Sequence, residues 1–108
     1  MDFEFDELKK EFLIEAEGKV REIVEFLKAE QLDKAALDRI SYLAHQLKGA
    51  GGSYGFSMIS TEAAALESGV EQFSHGAGDL DGARTRGANL STIVAERTRE
   101  LDERLAHR

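Results

Sequence analysis

FDELKKEFLIEAEGKVREIVEFL, residues 5–27, carries apolar side chains at Phe5, Leu8, Phe12, Ala16, Val20, Ile23 and Leu27, every step three or four residues. At 3.6 residues per turn that spacing draws one continuous stripe, as in a helix with one buried face and one wet face. It predicts a helix from about Phe3 to Ala29, with Gly18 on its outer side. A turn follows around Gln31–Lys34, where Asp33 is the expected N-cap. The second helix runs from Lys34 into YLAHQLKGAGGSYGF, residues 42–56. The third carries Ile59, Ala63, Leu66, Val70 and Phe73, with Ser57 as its expected cap. SHGAGDLDG, residues 74–82, is the one flexible connection of any length, and the last helix places Leu90, Val94, Leu101 and Leu105 on one face, ending near Ala106. The chain has no proline to break these helices and no strand-like runs of Val, Ile and Thr. The fold class is therefore all-α, an antiparallel four-helix bundle formed by a single domain over residues 1–108.

A chain of 108 residues is long enough for one compact core. With 42% hydrophobic and 32% charged residues it has the composition of a globular protein rather than a disordered one. Its formal charge of −7, from 14 basic and 21 acidic residues, argues against nucleic acid and anionic membrane as partners. No apolar run approaches the roughly 20 residues of a membrane helix, no signal peptide opens the chain, and without cysteine there is no thiol chemistry. A cytoplasmic monomer is expected.

Three glycines, Gly49, Gly51 and Gly52, fall within seven residues of His45, although each costs about 1 kcal/mol relative to alanine inside a helix. At 100° per residue, Ile40, Leu43, Leu47, Ala50 and Tyr54 lie on the side opposite His45. Around the histidine sit Asp38, Ser41, Tyr42, Lys48, Gly49 and Gly52. His45 is thus placed off the core face, and glycine at 49 and 52 strips cover from the imidazole and lets another molecule's backbone approach. Ser41, Tyr42, Gly49 and Gly52 become candidate contacts for that molecule.

Lys48, three residues after His45, shares its face. A lysine neighbour disfavours the imidazolium form and leaves a neutral, nucleophilic ring, while its own ammonium suits phosphate oxygens. A nucleophilic histidine, an ammonium beside it and open space around it point to phosphoryl transfer, which depends on positioning and charge neutralisation.

The string AHQLKGAGGSYGFS, with its His45-Gln-Leu-Lys48-Gly49 core and Gly52 and Gly55 following, resembles the signature of histidine-containing phosphotransfer domains of two-component phosphorelays. It is especially similar to the P1 domain that opens chemotaxis histidine kinases. The likeness covers nearly the whole chain, including FLIEAEGKV in the first helix and Leu66-Glu67 in the third. The resemblance implies a phosphocarrier without kinase activity, needing no cofactor or metal. His45 would take the phosphoryl group on Nε2, and Lys48 would neutralise its oxygens. Glu67 matches the glutamate that hydrogen-bonds the other ring nitrogen, which would fix the tautomer that leaves Nε2 free. The implied partners are a response-regulator receiver domain, whose aspartate gives or takes the phosphoryl group, and a histidine kinase. A polar residue found one turn before that glutamate in the chemotaxis group is Ala64 here, a departure from that subgroup. Met1 and four complete helices favour a free-standing protein, though a P1 fragment of a kinase would read the same. A non-phosphorylated module that binds and blocks a receiver is the remaining alternative.

Other constellations carry less. The glycines at 49, 51 and 55 follow a helix, whereas a dinucleotide-binding loop follows a strand. The Lys-Ser/Thr of a phosphate-binding loop is missing. His75 and His107 have no metal-ligand spacing with His45 and are expected to be solvated. The acidic runs near the N-terminus and at Glu96–Glu103 are expected to be solvated helix faces.

Overall fold

A computed structural model describes residues 3–107, which form four helices: α1 (Phe3–Leu27), α2 (Lys34–Ser53), α3 (Ser57–Ser74) and α4 (Asp81–Ala106). Among the described residues there is no strand, and no helix is long and apolar enough to cross a membrane. The helical stripes converge on one core. Leu13, Ile23, Ile40, Leu43, Leu47, Ile59, Leu66, Val70 and Leu90 are its largest fully buried apolar side chains. Each such side chain stabilises by about 1.5–3 kcal/mol when moved out of water.

Local chemistry sets the boundaries. The side chain of Asp33 accepts the Ala36 N–H at 2.9 Å and starts α2. α2 ends in a Schellman motif, in which the N–H of Phe56 donates to the Gly51 carbonyl at 2.8 Å and that of Gly55 to the Gly52 carbonyl at 3.2 Å. The motif requires a left-handed residue, and Gly55 supplies it at φ +82°. The turn into α3 is therefore only three residues long. Gly76, at φ +84°, closes α3 in the same way, with Ala77 donating to the Gln72 carbonyl.

Three expectations are corrected here. α1 stops at Leu27, two residues before Ala29, and the guanidinium of Arg84 satisfies its free end by donating to the Leu27 and Ala29 carbonyls at 2.8 and 3.0 Å. Ser57 is the first helical residue of α3 rather than its cap. Phe56 holds the cap position without a side-chain cap bond, and its ring stacks on Phe12. Phe5 and Leu8 belong to the α1 stripe but stay exposed. At 1.5 Å per residue α1 spans about 37 Å and α2 about 30 Å, so the first turns of α1 run past their neighbour. Phe5 stacks on the ring of Tyr54 at 6.1 Å, and the Lys9 ammonium lies 4.9 Å from its ring centre.

The acidic runs also do more than face water. Asp6 is buried and bonded to Arg104, and Lys10 pairs with Asp102 at 2.7 Å, so the start of α1 meets the end of α4. Arg84 binds the opposite end of α1, so these two helices are tied at both ends. Arg39 of α2 grips Glu22 of α1 through two bonds of 2.6 and 3.1 Å. The hydrogen bond from that guanidinium holds the Glu22 carboxyl below its ordinary value of 4.5.

Candidate functional site

The face of α2 turned away from the core carries His45, whose side chain is 66% exposed. α3 approaches from one side and delivers Glu67, the residue after the fully buried Leu66. The Glu67 side chain keeps 15% of its surface exposed, consistent with its place at the border of the α3 stripe. Its Oε2 lies 2.9 Å from His45 Nδ1, and its Oε1 lies 3.1 Å from Lys48 Nζ.

This geometry determines the tautomer. An ionised carboxylate can only accept hydrogen bonds, so the proton between Glu67 and His45 sits on Nδ1. In the neutral ring, Nε2 then carries a free lone pair on the exposed edge of the imidazole. Lys48 does not stand alone beside the histidine, as the sequence suggests. Its charge is answered by Glu67, whose two carboxylate oxygens bond the His45 ring and the Lys48 ammonium at once.

The three glycines separate into two kinds. A Cβ added at Gly49 would meet nothing within 4 Å, and one at Gly52 would meet only Ser60 Oγ, at an ordinary 3.6 Å. These two leave the approach to His45 open. Gly51 is buried, and a Cβ there would come within 3.2 Å of the Ser60 nitrogen and 3.3 Å of Ile59 Cγ2. It lets α3 lie directly against α2. Ser60 then donates its hydroxyl to the Lys48 carbonyl at 2.8 Å. Sequence reasoning passes over Ser60 and does not single out Gly51, because small residues announce a helix crossing only once the partner helix is known.

The remaining predicted residues, Ser41 and Tyr42, lie one turn before the histidine on α2. Tyr42 is exposed, its hydroxyl accepts from Gln46 Nε2 at 2.8 Å, and the Arg39 guanidinium lies 5.6 Å from its ring. Ser41 is half-buried, and its hydroxyl oxygen has no hydrogen-bond partner. His75 sits at the end of α3 with Nδ1 2.8 Å from the Glu71 carbonyl, remote in role from His45. Among the described residues no group of three His, Asp or Glu side chains could hold a metal ion.

The arrangement offers an exposed ring nitrogen backed by a carboxylate, a nearby ammonium, and bare backbone on the approach side. No curated protein and no solved structure matches the chain. The family model of the Hpt domain matches it over residues 7–107, nearly its whole length, and on that match the chain belongs to the Hpt domain family.

Proposed function

We propose that this protein is a phosphocarrier of two-component signalling, an antiparallel helical bundle that accepts a phosphoryl group on His45 Nε2 and relays it to or from a receiver-domain aspartate. The observation that carries this reading is the His45 Nδ1–Glu67 contact on a side chain that is two-thirds exposed. Membership of the Hpt domain family supports the same partners, receiver domains and histidine kinases.

In the step toward this protein, the Nε2 lone pair attacks the phosphorus of an aspartyl phosphate. A P–N bond forms, the P–O bond to the aspartate breaks, and the carboxylate leaves with the electron pair. No proton has to leave Nε2, because the tautomer places the ring proton on Nδ1. The phosphorylated ring is an imidazolium, and the Glu67 carboxylate beside Nδ1–H balances that positive charge. Lys48 has a flexible stem, and its ammonium can exchange Glu67 Oε1 for the phosphoryl oxygens. Gly49 and Gly52 leave room for the receiver's active-site loops, with Ser41 and Tyr42 at the rim of the contact. Reversal of the step returns the phosphoryl group to an aspartate.

Incubation with a phosphorylated receiver, followed by mass spectrometry, tests the reading. The expected result is a gain of one phosphate that is labile in acid and stable in base, absent from His45→Gln while that variant keeps the parent melting temperature. Phosphate acceptance by His45→Gln would refute the assignment. Binding to the receiver without any phosphate gain would make the protein a blocking module instead.

A further inference from the structure

We propose that Ser60 is a positioning residue for His45, acting through the hydrogen bond from its hydroxyl to the Lys48 main-chain carbonyl. The inference rests on the reading of His45 as the phospho-acceptor and extends it to a residue outside the phosphoryl contacts.

Helical serines and threonines ordinarily turn their hydroxyls back onto a carbonyl one turn earlier in their own helix. Ser53, Thr85 and Thr98 do so here, bonding the carbonyls of Gly49, Asp81 and Val94. Ser60 instead crosses to α2, with its oxygen 2.8 Å from the Lys48 carbonyl. A carbonyl oxygen has two lone pairs, so it can accept this bond in addition to its helical one. The crossing is possible because Gly51 brings the two backbones together at this level.

Lys48 is thereby held from α3 at two points, its carbonyl by Ser60 and its ammonium by Glu67. Ser60 and Glu67 are seven residues apart, two turns along one face of α3. A rigid helix fixed by Ser60 therefore carries Glu67 to a set height along α2. The Glu67–Nδ1 bond needs that height, since hydrogen bonds weaken steeply once distance and angle drift. With the Ser60 bond removed, the packing of α3 on α2 around Gly51 and Ile59 is apolar and non-directional, and the bonds of Glu67 itself carry the alignment. Glu67 then loses the constraint from Ser60, and the ring proton redistributes between Nδ1 and Nε2.

The test is nitrogen NMR of the histidine ring in the unphosphorylated protein, with His45→Gln used to assign the signals. It is paired with the rate of phosphorylation by phosphoramidate, a donor that needs no docking surface. The parent should show the Nδ1–H tautomer. Ser60→Ala should shift the His45 ring nitrogens toward a tautomer mixture and slow phosphorylation by about three- to tenfold, the loss of one hydrogen bond's influence. Ser60→Thr keeps the hydroxyl and should restore both. Parental ring shifts in Ser60→Ala would overturn the proposal. So would a Ser60→Thr protein with the parental melting temperature but the alanine variant's shifts. If the parent accepts no phosphate at His45, the phosphocarrier reading fails, while the ring spectra still decide what Ser60 does.

Discussion

Asp6 on α1 and Glu67 on α3 both reach across to a cation on another helix, yet their settings differ. Asp6 is 1% exposed and bonded to Arg104, whereas the Glu67 side chain is 15% exposed and divided between His45 and Lys48, the former largely in water. A deeply buried carboxylate must keep its partners, because an uncompensated charge away from water is costly. A carboxylate at the border, shared by an imidazole and an ammonium, can release the ammonium when another anion arrives. The first arrangement ties helices together, and the second leaves the imidazole of His45 accessible.

The sharpest way to break this comparison is to remove each carboxylate. Asp6→Ala should destabilise the fold by about 2–3 kcal/mol, the scale of a lost charge-assisted bond plus imperfect packing, while phosphotransfer by the folded fraction stays at the parental rate. The estimate stays below that for a fully enclosed ion pair because Arg104 is partly exposed and can rehydrate. Glu67→Ala should do the reverse, cutting transfer by roughly ten- to a hundredfold with a nearly parental melting temperature. Denaturant titration beside transfer kinetics checks both, and a Glu67→Ala protein that unfolds early yet transfers normally would erase the distinction.

Lys48→Ala tests whether the ammonium partner of Glu67 is the mobile one. Phosphorylation should remain possible but slow by about tenfold or more, from about 1.5–3 kcal/mol for a charge-assisted contact to the phosphoryl oxygens. Unchanged stopped-flow rates would assign Lys48 to Glu67 alone.

The glycines sharpen the same contrast between tying and opening. Gly51→Ala forces a methyl against the Ser60 nitrogen and Ile59, and should cost about 1–3 kcal/mol. Gly52→Ala meets only ordinary contact within a helix and should stabilise by roughly 0.5–1 kcal/mol. Thermal unfolding separates them, and equal signs for the two would show that one role covers both.

The smallest effect belongs to the Arg39–Glu22 pair, which is partly exposed to water and so weakly stabilising. Arg39 lowers the Glu22 carboxyl below 4.5, so the pair contributes above that value and its contribution disappears as pH falls through the lower folded-state value. Glu22→Gln should therefore melt slightly earlier than the parent at neutral pH, with the gap closing in acid. A gap that persists at low pH would mean that the loss is one of packing.

The helices were legible because their stripes are regular, and His45 because the wheel places it opposite Leu43 and Leu47. Lys48 and Glu67 needed more. The wheel puts Lys48 beside His45, but only α3 in place reveals that its charge is taken up by Glu67. The exposure of Phe5 and Leu8 escaped the pattern because a stripe records which face is apolar and says nothing of whether the neighbouring helix extends that far. Asp6 was grouped with solvated acids because its partner Arg104 lies 98 residues away, beyond any local signal.

The three-residue turn between α2 and α3 bears on how the chain searches for its structure. His45 and Glu67 are separated by 22 positions and Asp6 and Arg104 by 98. Loop closure costs about (3/2)RT ln n, so joining the first pair is cheaper in chain entropy by about 1.3 kcal/mol. The left-handed glycine at position 55 narrows that search further by aiming the chain back along itself. The proposed phospho-acceptor and its carboxylate thus meet by closing a short loop, and the long-range tie between the first and last helices lies elsewhere.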